Sequence, residues 1–342
     1  MSQIPVEAFF QKAKSLSIID VRTTDEFAKG HIPGAINIPI FSNEERIIVG
    51  TKYKQQSRDT AMAEAIHFIS QKVDFYLDEI AKLNRKEILV HCWRGGMRSA
   101  GMASLFQADG YKVHILDGGY KNYRNAVLKS FDQPLKLLIL GGMTGCGKSD
   151  VLKEIENLGE QIVDLEGIAH HKGSAFGALG QLPQPTIEQF ENKLHAVFSK
   201  LNLCKPIWLE DESQLVGKVR IPKPLFDQIR KAKVFKLELS KELRIKRLVN
   251  EYTDFDKNLI VNSIQNISRR LGGMATKQAI EAVEKNDFTA AIDIVLFYYD
   301  KTYSYGLSQR EGQTIISLKL DENDPKNTAK KLIEGELWKS PV

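Results

Sequence analysis

The chain has 342 residues, enough for two or three domains, and a hydrophobic fraction of 42% that can supply buried cores. No apolar run reaches the roughly 20 residues that a membrane-spanning helix needs. The net charge of +5 is only mildly basic, so it permits a nucleic-acid partner without demonstrating one.

Targeting and redox signals are sparse. The first residues lack the basic and apolar regions of a signal peptide. Three cysteines cannot all pair with one another, and two of them lie within motifs that carry chemistry. The sequence therefore predicts a cytoplasmic protein with no membrane partner, in which the thiols are reduced rather than joined as disulfides.

The first part of the chain alternates predicted strands with predicted helices. Short β-type runs cover residues 17–22, 86–91 and 112–116. Helical patterns cover residues 59–83 and 99–108. This alternation indicates a parallel α/β sheet.

A second α/β unit begins after a break at residues 128–134. Residues 135–140 form an almost continuous apolar run, as expected for a central parallel strand that is covered on both faces. A helix is predicted at residues 149–158, and after Lys241 the chain is predicted to be mostly helical. Further predicted strands cover residues 161–165, 205–209 and 232–239.

A cysteine followed by a glycine-rich turn is the first chemical motif. Cys92 stands directly after the predicted strand at residues 86–91. Nearby arginines and a helix N-terminus stabilise a thiolate, and glycines allow successive backbone amides to face one anion. We therefore expect Cys92 to be catalytic rather than a buried structural cysteine. Its expected anion loop consists of Trp93, Arg94, Gly95, Gly96, Met97, Arg98 and Ser99.

This loop alone fits two kinds of enzyme. Its pattern matches cysteine-dependent phosphatases, for which Asp20 or Asp25 could supply the required acid. However, residues 20–39 and 116–120 resemble the rhodanese domain, in which the cysteine carries sulfur or selenium. The loop is one residue longer than is usual in sulfur-transferring rhodaneses. That size suits either a phosphoryl group or selenium, and it does not decide between them.

The second chemical motif is a P-loop at residues 142–149, with the pattern G-x-x-x-x-G-K-[ST]. In this motif the amides surround phosphate oxygens, the lysine reaches the terminal phosphate and the hydroxyl contacts Mg²⁺. Cys146 is interpreted as a small loop residue rather than a second reactive thiol. The expected diphosphate-binding residues are Gly142, Thr144, Gly145, Cys146, Gly147, Lys148 and Ser149.

Acidic residues follow two of the predicted strands. Residues 206–213 resemble a Walker B element, with Glu210 and Asp211 as equal candidates for the carboxylate near a metal. Mg²⁺ is the expected ion, held through Ser149 and Asp211, and no tightly bound cofactor is expected. A substrate loop is expected to include Asp164, Glu166, Gly173 and Ser174.

The order of the two motifs, together with several longer segments, resembles the tRNA 2-selenouridine synthase family. The segments that carry the resemblance are residues 39–46, 49–54, 164–177, 208–213 and 270–273. The predicted fold is therefore α/β, with a rhodanese-like parallel-sheet domain at residues 1–130 that contains the cysteine loop. A P-loop NTPase-like α/β domain is predicted at residues 131–275, and a C-terminal helical segment at residues 276–342 is predicted to pack on it.

The resemblance implies a specific reaction. Such enzymes replace the sulfur of 2-thiouridine at the wobble position of tRNA with selenium from selenophosphate. They act through an S-geranyl intermediate made from geranyl diphosphate. The P-loop would then hold the prenyl diphosphate, and we hypothesise that Cys92 accepts selenium as a perselenide. A tRNA that carries 2-thiouridine is the expected partner, and a selenophosphate-supplying enzyme is a further candidate.

Two other functions stay open at this point. One is a cysteine-dependent phosphatase fused to a P-loop kinase-like domain, and the other is a rhodanese-like interaction module without activity. A tRNA partner would need basic residues to contact its phosphates. The candidates are residues 241–247, Lys223, Arg269, Arg270, Lys326, Lys330 and Lys331.

Overall fold

The computed structural model describes residues 2–310 and 314–334, and the chain divides into two compact units. The first unit runs to Ser130 and also includes Glu191–Lys193. The second comprises Phe131–Phe190 and the residues from Leu194 onward. Among the described residues, no helix combines the length and the apolar character needed to cross a membrane.

The first unit is built on a parallel sheet with the strand order β1-β5-β4-β2-β3. The strands predicted at residues 17–22, 86–91 and 112–116 correspond to β2, β4 and β5, which confirms the predicted parallel α/β class. In chain order, its elements are β1 (Ser2–Ile4), α1 (Val6–Lys12), β2 (Ser17–Asp20), α2 (Thr24–Lys29), β3 (Ile36–Asn37), α3 (Asn43–Gln55), α4 (Arg58–Ser70), α5 (Val73–Ala81), β4 (Glu87–His91), α6 (Met97–Ala108), β5 (Lys112–Leu116) and α7 (Gly119–Ser130).

One predicted helix is interrupted in the structure. Residues 59–83 form two helices, α4 and α5, because the chain leaves helical geometry at Lys72, where φ is −124° and ψ is 10°. The break lets α5 bury Tyr76 and Ile80, both with no exposed surface. A periodic pattern alone gave no sign of this change in direction.

The second unit contains another parallel sheet, with the order β12-β11-β6-β8-β7, and a small antiparallel pair formed by β9 and β10. Its elements in chain order are β6 (Leu137–Gly142), α8 (Lys148–Asn157), β7 (Gln161–Val163), α9 (Leu165–Ala169), α10 (Ile187–Phe198), β8 (Ile207–Glu210), β9 (Leu215–Val216), β10 (Val219–Arg220), α11 (Lys223–Ile229), β11 (Lys233–Leu239), α12 (Lys241–Tyr252), α13 (Lys257–Asn266), α14 (Ser268–Leu271), α15 (Gly273–Glu284), α16 (Phe288–Ser308), β12 (Ile315–Leu320) and α17 (Pro325–Glu334).

The central strand β6 marks the point where the order of strands reverses. The chain places β7 and β8 on one side of β6 and β11 and β12 on the other. In open α/β sheets, ligands bind at this switch point, beyond the carboxyl ends of the strands. The P-loop follows β6 directly and therefore occupies that position.

The last part of the chain is less uniformly helical than the sequence predicted. Helices α12 to α16 are present, but β12 adds an edge strand that pairs in parallel with β11. Its burial alternates between exposed and half-buried residues, and Ser317 and Lys319 interrupt the apolar pattern. Such a short, partly exposed strand gives a weak sequence signal, which explains why it was not predicted.

Candidate active sites in the cysteine loop and the P-loop

Cys92 lies immediately after the central strand β4 and is only 3% exposed. The helix α6 begins at Met97, and Gly96 at its N-cap offers no side chain to the first amides. Those amides have no intrahelical partners, so they remain available to a bound anion. The predicted anion loop therefore has backbone donors next to the thiol.

The turn after β5 fixes the shape of this loop. Gly119 has φ +59°, and a Cβ atom there would lie 2.5 Å from the carbonyl oxygen of Cys92. Gly95 has φ +67°, and a Cβ atom there would lie 2.7 Å from the carbonyl oxygen of Leu116. The Tyr120 amide donates a hydrogen bond to the Cys92 carbonyl at 2.8 Å. Only glycines allow this close approach, so the loop and the turn pack directly against each other.

The surroundings of Cys92 favour its thiolate. Burial by itself raises the pKa of the thiol, but a hydrogen bond from the Ser99 hydroxyl and the positive charge of Arg98 lower it. Backbone amides of Ser99 and Arg94 act in the same direction, so the net pKa lies below the ordinary cysteine value. A thiolate is the reactive form of cysteine, so this environment suits a nucleophile.

Arg98 is anchored by a residue that sequence analysis did not assign to the site. Its guanidinium donates to both carboxylate oxygens of Glu26, at 2.6 and 3.1 Å. Arg46 of α3 belongs to the same group of charges. Burial and, secondly, the charge of Arg98 lower the pKa of Arg46, whereas the negative charges of Glu26 and Cys92 raise it. Arg46 lies in the segment at residues 39–46, so the resemblance contained a signal for it. Of the remaining loop residues, Arg94 is exposed and Trp93 is half-buried.

A buried ion pair occupies one of the carboxylates considered as an acid. Asp20 accepts a hydrogen bond from Arg22 at 2.6 Å, and neither side chain is exposed. Burial alone raises the pKa of Asp20, but the charge of His91 and the hydrogen bonds from Arg22 outweigh it, so the pKa is lowered. Arg22 also lies 3.7 Å above the Tyr120 ring. Asp20 is thus an ionised partner of Arg22 rather than a proton donor, whereas Asp25 is exposed on α2.

The P-loop connects β6 to α8 through residues with left-handed backbones. Gly145 and Gly147 have φ values of +84° and +82°. The Lys148 ammonium donates to the carbonyl of Gly142 at 3.2 Å. Burial alone lowers the pKa of Lys148, but nearby negative groups raise it above its ordinary value, so the lysine stays charged. Burial raises the pKa of the Cys146 thiol, which supports its interpretation as a loop residue.

Three glutamates surround the end of the P-loop. The Ser149 hydroxyl donates to Glu166 at 2.9 Å. Glu210 is fully buried, and its two carboxylate oxygens have no hydrogen-bond partner among the described residues. Burial, reinforced by the charge of Glu166, raises the pKa of Glu210 to about 8. Glu212 was not predicted as a site residue, yet burial and the charge of Glu166 raise its pKa too.

The predicted substrate loop reaches this acidic group through a glycine. A Cβ atom at Gly173 would lie 2.8 Å from Glu212 and 3.0 Å from Glu166. Asp164 caps α9 by accepting a hydrogen bond from an amide at 2.7 Å. Ser174 is buried, and its hydroxyl accepts from the Phe176 amide at 3.2 Å. The substrate loop therefore lies against Glu166 and Glu212. Asp164 and Ser174 stabilise the local backbone.

The two Walker B-like candidates face different partners. Asp211 forms an ion pair with Arg310 and is almost fully buried. Glu210 lies near Ser149, and although burial raises the pKa of Glu210, the Ser149 hydroxyl lowers it. The expected Mg²⁺ site through Ser149 and Asp211 stays a prediction, and this geometry favours Glu210 instead.

The donors near Ser149 fit a magnesium ion. Hydroxyl and carboxylate oxygens are the ligands that Mg²⁺ prefers, and Glu210 presents carboxylate oxygens without partners among the described residues. Among the described residues, no group of three or more His, Cys, Asp or Glu side chains is placed to hold a metal. Mg²⁺ in proteins usually takes several of its ligands from water and substrate phosphates.

The basic residues proposed for tRNA fall into two classes. Arg244 is buried, pairs with Asp300 at 2.7 Å and donates to the Thr144 carbonyl at 3.1 Å, so it supports the P-loop. Ion pairs with aspartates also engage Lys223, Lys241 and Arg247. In contrast, the exposed positions that form no ion pair within the described part of the chain are Lys246, Arg269, Arg270, Lys326, Lys330 and Lys331.

Comparison with known proteins agrees with this arrangement. Residues 135–324 match the family described as the tRNA 2-selenouridine synthase AAA domain, and residues 6–126 match the rhodanese-like domain. A tRNA 2-selenouridine synthase from Shewanella woodyi is 33% identical, with 87% of this chain and 90% of the relative covered. The chain belongs to the tRNA 2-selenouridine synthase family.

Other relatives extend the comparison. A tRNA 2-selenouridine synthase from Sulfurovum sp. is 30% identical, with 92% of this chain and 96% of the relative covered. The N-terminal domain of a Clostridium difficile 630 protein described as ATP/GTP binding is 42% identical, covers 37% of this chain and 99% of its own, and has a TM-score of 0.34. Membership in the synthase family confirms the resemblance found in the sequence. The match of the AAA domain extends through α15, α16 and β12.

Proposed function

We propose that this protein is a selenotransferase that replaces the sulfur of wobble 2-thiouridine in tRNA with selenium from selenophosphate, through an S-geranyl intermediate. The observation that carries the proposal is the presence of two anion-binding loops of different chemistry, each after the central strand of its own parallel sheet. One loop presents a thiolate and the other presents a lysine and a hydroxyl. Two activated phosphorus reagents, selenophosphate and geranyl diphosphate, would need these two loops.

The P-loop would perform the geranylation. The thiouridine sulfur attacks C1 of geranyl diphosphate, the bond from C1 to the diphosphate oxygen breaks, and the base loses its N3 proton. Lys148 stays charged in this site, so it would stabilise the negative charge that develops on the departing diphosphate. Ser149 and Glu210 would hold Mg²⁺, which, when bound, supplies further charge neutralisation.

Apolar side chains behind the P-loop support a reagent with a hydrocarbon tail. A small cavity that is partly open to solvent is lined mostly by apolar side chains, among them Leu248, Val295 and Leu296, and by Thr144 of the P-loop. Gly145 packs closely on Leu248, since a Cβ atom there would lie 2.9 Å from its Cδ1 atom. A nucleotide base would require polar partners, whereas a prenyl chain is recognised by such apolar walls.

The cysteine loop would then deliver selenium. Geranylation turns the sulfur into a better leaving group, so selenium can displace it from C2 of the base as geranyl thiol. The lowered pKa of Cys92 supports its role as the nucleophile that takes part in this delivery. A thiolated tRNA is the proposed macromolecular partner, and an enzyme that supplies selenophosphate is proposed as a further partner. The expected compartment is the cytoplasm.

The phosphatase alternative has less support in the site. Protein phosphatases of this class need a carboxylic acid that protonates an alcohol leaving group. Asp20, one of the two candidates, is ionised and locked against Arg22. Nothing in the geometry of Asp25, which is exposed on α2, assigns it to the loop.

Mass spectrometry of tRNA nucleosides would test the proposal. Thiolated tRNA is incubated with the full chain, geranyl diphosphate and selenophosphate, and the variants are Cys92→Ala, Lys148→Ala and, as a control, Cys204→Ala at an exposed cysteine. We expect selenouridine with the wild type and the control, geranylated base that accumulates in Cys92→Ala, and unchanged thiouridine in Lys148→Ala. Wild-type protein that leaves the base unchanged while cleaving a phosphate ester would overturn the proposal.

A further inference from the structure

The cysteine loop has the form of a cradle for a tetrahedral phosphorus centre. Residues 93–97 separate Cys92 from Arg98, the spacing that cysteine-dependent phosphatases also show. Backbone amides of Ser99 and Arg94 and the charge of Arg98 act on the Cys92 sulfur, and the first amides of α6 have no capping side chain. Nests of amides at a helix N-terminus bind phosphoryl oxygens. The question is therefore which atom of selenophosphate the thiolate attacks.

The balance of electrons separates the two answers. If the thiolate attacked selenium, a sulfur–selenium bond would form and the electron pair of the broken bond would stay on phosphorus. The product would then be phosphite, and the perselenide would need a reductant to regenerate the thiol after transfer. If the thiolate attacks phosphorus, the electron pair leaves with selenium, and no oxidation or reduction occurs. Only the second path needs no additional reagent.

We propose that Cys92 attacks the phosphorus atom of selenophosphate, forming S-phosphocysteine and releasing the hydrogen selenide anion, a step that rests on the function proposed above. Water then attacks phosphorus, the phosphorus–sulfur bond breaks, and the Cys92 thiolate and dihydrogen phosphate are formed. Hydrogen selenide attacks C2 of the S-geranylated base, and the carbon–sulfur bond breaks. The proton that selenium carried passes to the departing geranyl thiolate. This path replaces the perselenide on Cys92 that was hypothesised from the sequence.

The acidic side chains around the loop are consistent with attack on phosphorus if the leaving group is a weak base. Such a group departs without a proton from a general acid. An alkoxide must be protonated as it leaves, which requires a general acid. Hydrogen selenide is a much weaker base than an alkoxide and leaves unaided. Asp20 is held by Arg22 at 2.6 Å, and Glu26 is held by Arg98 at 2.6 and 3.1 Å. Two carboxylates near the loop are therefore held in ion pairs with arginines and are not free to donate a proton.

Ser99 gives the loop a means of completing the second step. Its hydroxyl oxygen lies 3.3 Å from the Cys92 sulfur. When water attacks the phosphocysteine, negative charge returns to sulfur, and a hydroxyl that donates to it stabilises the leaving thiolate. Ser99 is therefore a positioning residue for hydrolysis as well as for the resting thiolate.

Phosphorus NMR on the full chain would test the proposal. Selenophosphate and S-geranylated tRNA are mixed with wild type, Cys92→Ala, Ser99→Ala and the control Cys204→Ala, and a sample without protein gives the uncatalysed rate. We expect phosphate as the phosphorus product with wild type and control, and only the uncatalysed rate with Cys92→Ala. In acid-quenched Ser99→Ala we expect an adduct on Cys92 that contains phosphorus and lacks the isotope pattern of selenium. Phosphite as the product, or a selenium-containing adduct on Cys92, would overturn attack on phosphorus.

The same samples separate this inference from the proposed function. Selenouridine formed together with phosphite would leave the selenotransferase function intact and refute the role of phosphorus. Phosphate released through Cys92 without any selenouridine would support the role of Cys92 at phosphorus and refute the selenotransferase function. Each failure therefore has its own signature.

Discussion

The Oγ atom of Ser99 lies 3.3 Å from the Sγ atom of Cys92 and 3.0 Å from the carbonyl oxygen of Gly96. A hydroxyl has one proton to donate, so these two acceptors compete for it. When Cys92 is ionised, its sulfur is the stronger acceptor, because hydrogen bonds to charged groups exceed those to neutral ones. The Ser99 proton should therefore follow the charge state of the thiol.

The first prediction concerns that hydrogen bond. Ser99→Ala should raise the pKa of Cys92 by about one unit, because a hydrogen bond to a charged group contributes ~1.5–3 kcal/mol and one unit corresponds to ~1.4 kcal/mol. The rate of alkylation by iodoacetamide, measured against pH, should shift to higher pH by that amount. Ser104→Ala, at an exposed serine on the same helix, is the control and should leave the profile in place. A profile that Ser99→Ala does not move would contradict the prediction.

The second prediction concerns the buried pair of Asp20 and Arg22. Asp20→Asn leaves the Arg22 charge buried without its partner, so the free energy of unfolding should fall by about 3–5 kcal/mol. Urea denaturation at neutral pH would measure this loss. Replacing both residues, as Asp20→Leu with Arg22→Met, should cost less, because no uncompensated charge remains. A double variant that is less stable than Asp20→Asn would be inconsistent with this explanation.

The same pair gives a dependence on pH. The pKa of Asp20 is lower in the folded protein than its ordinary value. Its contribution is therefore present above the ordinary carboxyl pKa and is lost as the pH falls through the folded value. The gap in stability between wild type and Asp20→Asn should narrow on acidification. A gap that stays constant between neutral and acidic pH would argue against an ionised Asp20.

Local motifs could be predicted from the sequence because they depend on contiguous residues. The strand β6 is a continuous apolar run, β4 has an apolar centre, and several glycines of both loops adopt backbones that few other residues allow. Cys92 follows β4 directly and Lys148 lies at the end of the P-loop after β6, so their places beyond the carboxyl ends of these strands were predicted from the sequence alone. The interruption between α4 and α5 and the exposed strand β12 were not, because each depends on tertiary packing.

Partners from distant segments account for what the sequence did not reveal. Glu26 is remote from Arg98 in the chain, and Arg310 is remote from Asp211, yet each pair is in contact. No local pattern distinguishes a carboxylate that pairs with a distant arginine from one that faces a ligand. For this reason Glu210 and Asp211 were equivalent in the sequence and differ clearly in the structure.

The third prediction separates Glu210 from Asp211. If Glu210 is the carboxylate near the metal, Mg²⁺ should increase the stabilisation by inorganic diphosphate in wild type and much less in Glu210→Gln. Asp211→Asn should lower the starting melting temperature, because it breaks the pair with Arg310, but should keep the increment due to Mg²⁺. Thermal unfolding with and without Mg²⁺ measures both effects. An increment that is absent in Asp211→Asn and kept in Glu210→Gln would reverse the assignment.

The fourth prediction concerns the apolar cavity behind the P-loop. Val295→Phe places a larger side chain among the residues that line this cavity. The KM for geranyl diphosphate should therefore rise by roughly tenfold or more. Binding of inorganic diphosphate, which needs only the P-loop, should stay unchanged in calorimetry. Val283→Phe is a matched control, since Val283 lines a neighbouring cavity that shares Phe176, Tyr252 and Ile292 with the first one but does not include Thr144. Equal effects of the two variants on geranyl diphosphate would point to general overpacking instead of a prenyl site.

The fifth prediction concerns tRNA. Exposed basic residues occupy α14, as Arg269 and Arg270, and α17, as Lys326, Lys330 and Lys331. When basic side chains neutralise tRNA phosphates, counterions are released. The logarithm of the binding constant should therefore fall linearly with the logarithm of the salt concentration, and the slope should have a magnitude of ~0.7–0.9 per neutralised phosphate. In one variant the basic residues of α14 are replaced by alanine, and in a second variant those of α17. A variant that loses phosphate contacts should bind tRNA more weakly, and its slope should be smaller in magnitude by about one for each lost contact.

Filter binding over a range of salt concentrations would measure the slope for each variant. Lys223→Ala is a suitable control, because Lys223 is also exposed but is paired with Asp227 at 2.7 Å. If only one helix contributes, its variant alone should show the smaller slope, and the two helices are thereby distinguished. If neither variant changes the slope while wild-type binding remains dependent on salt, the tRNA phosphates contact other residues. In that event both α14 and α17 would be excluded as the binding surface.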